Sequence, residues 1–240
     1  MLRKALRRLN SGREPVFERR GHEVQRIETF SDAVFAFAVT LLIVSLEVPK
    51  SFDELMISIR GFYAFAISFL LLMLIWYEQH AFFRRYGLSD TRTLALNIAL
   101  NFVVLFYVYP LKFLFTYSFR DQIYGNSALK PVIREGQGPA LMMIYGIGFM
   151  CIYFLLFAMY FHALRKKAEL RLTRSEEYDT RTKMFANLIF MGIGLLSITI
   201  AYLSSEAVAD YGGMVYLLIF PVITLFYSYR GRKKRRLNFS

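Results

Sequence analysis

What most constrains this chain is a succession of apolar runs, several as long as a helix needs to cross a lipid bilayer. The hydrocarbon layer is about 30 Å thick, which takes about 20 consecutive apolar residues in helical form. The runs fall at Ile27 to Val48, Ile57 to Phe82, Leu94 to Tyr117, Leu141 to Ala163, Met184 to Ser204 and Met214 to Tyr229. The pattern predicts an all-α, polytopic membrane protein with six transmembrane helices per chain. Composition agrees, because 56% hydrophobic residues in a 240-residue chain exceed what one soluble domain of this length usually hides. No long Gly/Ser linker or low-complexity tract divides it, so residues 1–240 read as one transmembrane domain, with a basic N-terminus at 1–26 and a basic tail at 230–240.

The net charge of +12 is informative through its position rather than its size. Of the 30 Lys and Arg, 24 lie before the first run, in the second and fourth connections, and after the last run; 5 lie on the opposite side, and Lys112 sits inside the third run. That alternation holds at every connection, and by the positive-inside rule it puts both termini in the cytoplasm of a multi-pass protein, with the plasma membrane as its expected location. The tail Arg-Gly-Arg-Lys-Lys-Arg-Arg at 230–236 reads as an anchor for anionic lipid headgroups, and with no nucleic-acid-binding module present no nucleic-acid partner is expected. The basic start is not followed by an apolar run until Ala33, so it lacks the pattern of a cleaved signal peptide and is expected to stay. Cys151 is the single cysteine, which excludes a disulfide within the chain. The third connection, Ser118 to Pro139, contains Pro131, Gly136, Gly138 and Pro139 and reads as a loop.

Ionisable and amide side chains inside membrane spans are costly, so each is a functional candidate. Given the alternating direction of the spans, Arg26, Ser31 and Asp32 of the first, Trp76, Glu78 and His80 of the second, and Asn97 and Asn101 of the third all fall at similar depth. Trp76 with His80, and Asn97 with Asn101, are four residues apart and share a helix face, so they are expected to converge. Arg26 and Asp32 are about 240° apart around a helix, so each should find its partner on another helix. Asp32, short and about two turns inside the span, needs hydrogen-bond donors or a proton to be tolerated there.

On the first span, Ala33, Phe37, Thr40, Leu41 and Val44 fall on one narrow stripe at 100° per residue, apolar except for Thr40, with Asp32 pointing about 140° away from Phe37. An apolar stripe on a membrane helix is ordinary by itself. The segment Arg26-Ile27-Glu28-Thr29-Phe30-Ser31-Asp32, of the form R-x-x-x-F-S-D, opens this span and is followed by small and apolar residues to Thr40-Leu41-Leu42. With Trp76 and His80 in the second span, Asn97 in the third and six spans in all, the chain resembles the transmembrane protein 175 family of lysosomal and prokaryotic potassium channels.

The resemblance implies that the first helix lines a pore shared by several chains. It puts Phe37, Leu41 and Val44 at narrow levels with Thr40 as a polar ring between them, while Arg26, Phe30, Ser31, Asp32, Trp76 and His80 hold the pore helix against its neighbours. The chain has one such motif rather than two, which implies a homotetramer; closed rotational symmetry is the usual solution for such assemblies. Where the family usually has Ile or Leu at the first constriction this chain has Phe37, so its gating and selectivity need not match. The expectation is a cation channel favouring potassium with modest selectivity, since neither a T-V-G-Y-G filter nor an acidic ring lies on the stripe. No cofactor beyond the permeant K+ and no resident metal are expected. The rival is a proton-coupled secondary transporter relaying protons through Asp32, Glu78 and His80. An enzyme is not expected, because His22, His80 and His162 have no zinc spacing and no nucleophile or phosphate-loop motif occurs.

Overall fold

The structure, a computed structural model, describes residues 17–21, 23–44, 50–119, 123, 137–203 and 214–237. Among these the chain is helical, with no strand. The helices are α1 (Arg26–Val44), α2 (Phe52–Arg60), α3 (Phe62–Tyr86), α4 (Thr91–Ser118), α5 (Gln137–Arg165), α6 (Arg174–Leu203) and α7 (Ile219–Arg236), the last preceded by a short 3-10 turn at Val215–Leu218.

Local chemistry explains most of the boundaries. At the start of α1 the Gln25 carbonyl accepts the amides of Glu28 and Thr29 at 3.0 and 3.1 Å, and the Glu28 carboxyl reaches back to the Gln25 amide at 3.2 Å. The bond from the Gln25 amide to the Glu28 carboxyl is one half of a capping box. Ser51 caps α2 by accepting the Glu54 amide at 3.2 Å. Gly87 ends α3 with φ of 58°, the left-handed geometry that glycine adopts without a Cβ penalty, and its amide returns to the Phe83 carbonyl at 2.8 Å.

Among the described residues, four stretches are long and apolar enough to cross a membrane: Phe52–Tyr86, Thr91–Ser118, Gln137–Arg165 and Arg174–Leu203. A helix of 28 residues, like α4, extends for about 42 Å, more than the hydrocarbon thickness. The chain is therefore a multi-pass membrane protein. The first expected span is helical over 26–44 and residues 45–48 lie outside the description; the sixth is helical from Ile219 through the basic residues to Arg236. The tail expected at 230–240 is thus a continuation of α7 as far as Arg236.

Two expected connections are shorter than the sequence suggested. Gly138 and Pro139 lie in the first turn of α5 rather than in the loop before it. A proline there gives up no intrahelical hydrogen bond, since the first amides of a helix have none. Likewise, the charged stretch from Arg165 to Lys183 contains only a brief turn before α6 begins at Arg174. Most of the third connection and the Glu206 to Gly213 turn lie outside the described residues.

In the bundle, α1 packs on α3 and α4, α4 packs on α3 and α5, α5 on α6, and α7 on the outside of α6. Aromatic and aliphatic side chains fill the centre, among them Phe35, Phe82, Leu100, Val104, Leu156 and Tyr160, all nearly inaccessible. Small residues bring α5 against α6: a Cβ built on Gly146 would lie 2.4 Å from Ile198 and 3.3 Å from the Gly194 carbonyl. Large apolar side chains also cover the outside, including Phe102, Phe106, Leu203 and Phe220. In water such a surface is an aggregation hazard; against acyl chains it is ordinary.

Candidate pore helix and its polar anchors

The residues of α1 divide by burial into two sides. Glu28, Ser31, Phe35, Ala38 and Leu42, spaced at helical intervals, are buried against α3 and α4. Thr29, Ala33, Ala36, Phe37 and Thr40 recur at the complementary intervals and are exposed in the single chain, Phe37 by 57%. Of the predicted stripe, then, Ala33, Phe37 and Thr40 share the open side. Leu41 is half-buried and packs against the core, so it stands at the edge of that side; the side chain of Val44 lies outside the description. The Thr40 hydroxyl donates to the Phe37 carbonyl at 2.7 Å, which occupies its proton and leaves its lone pairs outward.

Behind this open side the polar residues form separate groups rather than the single cluster expected from their depth. In the first group, the Trp76 indole N–H donates to the Asp32 carboxyl at 2.7 Å, and the His80 ring stacks on Trp76 with centroids 5.4 Å apart. Asp32 is therefore satisfied from α3, as its position in the span requires. It is more exposed than the stripe arithmetic implied and flanks the open side of α1.

The second group is buried and joins three helices. Ser31 donates to the Ile27 carbonyl at 2.9 Å and accepts the amide groups of Asn97 at 2.8 Å and Asn101 at 3.0 Å. Both asparagine carbonyls in turn accept the amide of Gln79, which lies 3.2 Å from Asn101 and is also bonded to Asn97. Every hydrogen-bonding position of the Ser31 hydroxyl is used, and so are both amide hydrogens of Gln79. Asn97 is fully buried and Gln79 is 1% exposed, so the network anchors α1 to α3 and α4 at a depth with no water to replace it. Gln79 escaped sequence reasoning. The signal was available, because an amide near the inner end of the second apolar run sits between Trp76 and His80, four residues before Phe83.

Other candidates go elsewhere. Glu78 turns away from His80 and pairs with Lys183 of α6 at 2.6 Å, with the Tyr160 hydroxyl at 3.5 Å. Arg26 and Phe30 are exposed at the base of α1, and among the described residues Arg26 forms no ion pair. Near the far end of α1, the Lys112 ammonium donates to the Leu42 carbonyl at 2.5 Å.

Comparison with known proteins gives this arrangement a context. The family model described as endosomal/lysosomal potassium channel TMEM175 matches residues 26–108, the stretch holding α1, α3 and both polar groups. A protein of Marivirga tractuosa named "Potassium channel" is 39% identical over 237 residues, covering 94% of this chain and 95% of that one. Among solved structures, a variant of the potassium channel MtTMEM175 in complex with a nanobody-MBP fusion is similar at a TM-score of 0.78 and 36% identity, covering 92% of this chain and 99% of that one. A lysosomal potassium-selective channel TMEM175 homolog from Chamaesiphon minutus is similar in fold, with a TM-score of 0.55 at 22% identity over 85% of this chain and 96% of that one. By near-full-length identity and by fold, the chain belongs to the TMEM175 family, a family of potassium channels rather than of enzymes.

Proposed function

We propose that the protein is a potassium channel of the plasma membrane: a homotetramer of six-span subunits, both termini cytoplasmic, with α1 of each subunit lining a shared pore. The observation that carries this reading is the division of α1. One side is fixed by buried hydrophobic packing and an amide network, while the other offers Phe37, Thr40 and two alanines to whatever lies outside the chain. A helix anchored on one side only, with small residues that permit close approach on the other, suits a position beside its own symmetry copies. The names of the Marivirga relative and of the solved MtTMEM175 structure support potassium as the ion.

In this reading the pore narrows at Phe37 and again toward Leu41 and Val44, with the Thr40 oxygen between them. An apolar constriction excludes water when narrow and passes partly hydrated ions when it widens. With one hydroxyl oxygen per subunit and no carboxylate on the stripe itself, selectivity for potassium is modest. Permeant K+ acts as cargo and needs no resident site.

The transporter alternative loses support from the position of Glu78. A relay needs titratable groups joined by hydrogen bonds, and Glu78 is held by Lys183 on the far side of α3 from Asp32 and His80. Recording purified protein in a planar bilayer, with potassium on one side and sodium on the other, tests the proposal. Unitary current steps that reverse toward the potassium equilibrium potential are expected; flux without unitary steps would overturn it in favour of a carrier.

A further inference from the structure

Where α3 and α7 end and α6 begins, on the basic side of the molecule, an open cavity of about 240 Å³ lies between them. Its walls carry four cations, Arg85, Lys183, Arg230 and Lys234. Two are neutralised: Lys183 by Glu78 at 2.6 Å and Lys234 by Asp179 at 2.8 Å. The other two are not. Arg230 lies over the Tyr178 ring, 4.0 Å from its centroid, and spends its N–H groups on the Thr182 hydroxyl at 3.0 Å and the Tyr178 carbonyl at 3.4 Å. Arg85 lies 5.3 Å from the centre of the Phe17 ring. Among the described residues neither guanidinium has a carboxylate partner, so the cavity carries two positive charges that no described residue compensates.

We propose that this cavity binds the phosphate group of an anionic membrane lipid. Phosphate presents several oxygens to two guanidinium forks, the pairing for which arginine is best suited. A lipid is favoured over free phosphate because an exposed aromatic side chain stands beside the cavity, toward the membrane-spanning part of α6. Phe185, itself exposed, lies beside Arg230, with its ring centre 5.9 Å from the guanidinium. Basic pockets between transmembrane helices are a recurrent way of holding such headgroups. The inference rests on the proposed orientation only for which leaflet supplies the lipid.

The test is a count of retained lipid. Full-length protein is reconstituted in vesicles mixing phosphatidylglycerol with phosphatidylcholine, extracted in mild detergent and examined by native mass spectrometry. The wild type should retain phosphatidylglycerol in preference to phosphatidylcholine, and Arg85→Gln should lower that retention several-fold. Arg230→Gln should do the same, but its bonds to Tyr178 and Thr182 also support the fold, so Arg85→Gln is the deciding variant. Lys233→Gln, on the exposed face of α7, should leave retention unchanged. Equal retention of both lipids, unaltered retention in Arg85→Gln, or an equal loss in Lys233→Gln would each overturn the site. Thermal protection of lipid-stripped protein by inorganic phosphate as strong as that by phosphatidylglycerol would overturn the lipid assignment. None of these readouts depends on conduction, so failure of the channel reading leaves them interpretable.

Discussion

The Trp76 indole N–H meets the Asp32 carboxyl across 2.7 Å, tying α3 to α1 at the edge of the side that α1 leaves uncovered. Removing one partner of such a bond, whose acceptor is exposed in the single chain, costs about 0.5–1.5 kcal/mol. Asp32→Ala should therefore impair assembly at least as much as conduction, seen as loss of the oligomer peak on size exclusion. Trp76→Phe, which keeps the ring stack with His80 but not the N–H, should have a milder effect of the same sign. Normal assembly with an altered current would instead give Asp32 a direct part in gating.

Gln79 supports the same helix from a drier place. Its amide supplies hydrogens to both Asn97 and Asn101, so Gln79→Leu strands two buried carbonyl oxygens while keeping the volume nearly constant. The penalty should be several kcal/mol, because each unsatisfied group costs about 1–3 kcal/mol. Thermal denaturation in detergent measures it, and Gln79→Glu separates geometry from bonding: a carboxylate keeps the shape but cannot donate, so it should destabilise at least as much as Leu. A stability close to wild type in both variants would mean the three amides are not mutually dependent.

How far the sequence discloses this site can be traced through particular residues. Helical spacing put Phe37 and Thr40 on one side of α1, and both are exposed there, because burial on a packed helix follows the same 3.6-residue period. The shared depth of Ser31, Asn97 and Asn101 was legible from the alternating direction of the spans, and the three do meet. Depth alone carries no information about rotation about the axis of α3. Hence Glu78, two residues from His80 and so roughly 200° around the helix, faces Lys183 instead. Helix ends were misjudged where Pro139 suggested a loop, since proline opposes a helix interior but suits its first turn. The clasp of Gly21 on the end of α3, with its amide 3.3 Å from the Arg84 carbonyl, has no periodic signature and was not legible.

Phe37 tests the pore assignment directly. If four phenyl rings form the narrowest apolar level, Phe37→Ala removes most of that wall and lets water persist where it was excluded. Potassium flux into liposomes should rise several-fold over wild type at equal protein density, with less discrimination against sodium. Because Phe37 is exposed in the single chain, the substitution leaves no cavity in the core, and the melting temperature should change little. Unchanged flux would place the constriction elsewhere on α1.

Asp90, at the turn between α3 and α4, carries a pH prediction. Burial raises its pKa, but bonds from the Thr93 hydroxyl and the His162 ring, with the charges of His162 and Lys166, outweigh this and hold the carboxyl at about 2, below its ordinary 3.8. The His162 Nε2 stands 2.8 Å from the carboxyl and ties α5 to the start of α4. A carboxyl whose folded pKa is depressed contributes stability that is complete above its unfolded pKa and is lost as pH falls through the folded value. Asp90→Ala should therefore lower the melting temperature by a few degrees, for a loss of about 1.5 kcal/mol on a partly solvated site. The deficit should still be complete at about pH 4.5 and should shrink only as pH falls below the ordinary carboxylate range. Melting curves of the two proteins at stepped pH read this directly. A deficit already fading at pH 6 would mean that the carboxyl is not held low, and that the contact of Asp90 with His162 is too weak to join the two helices.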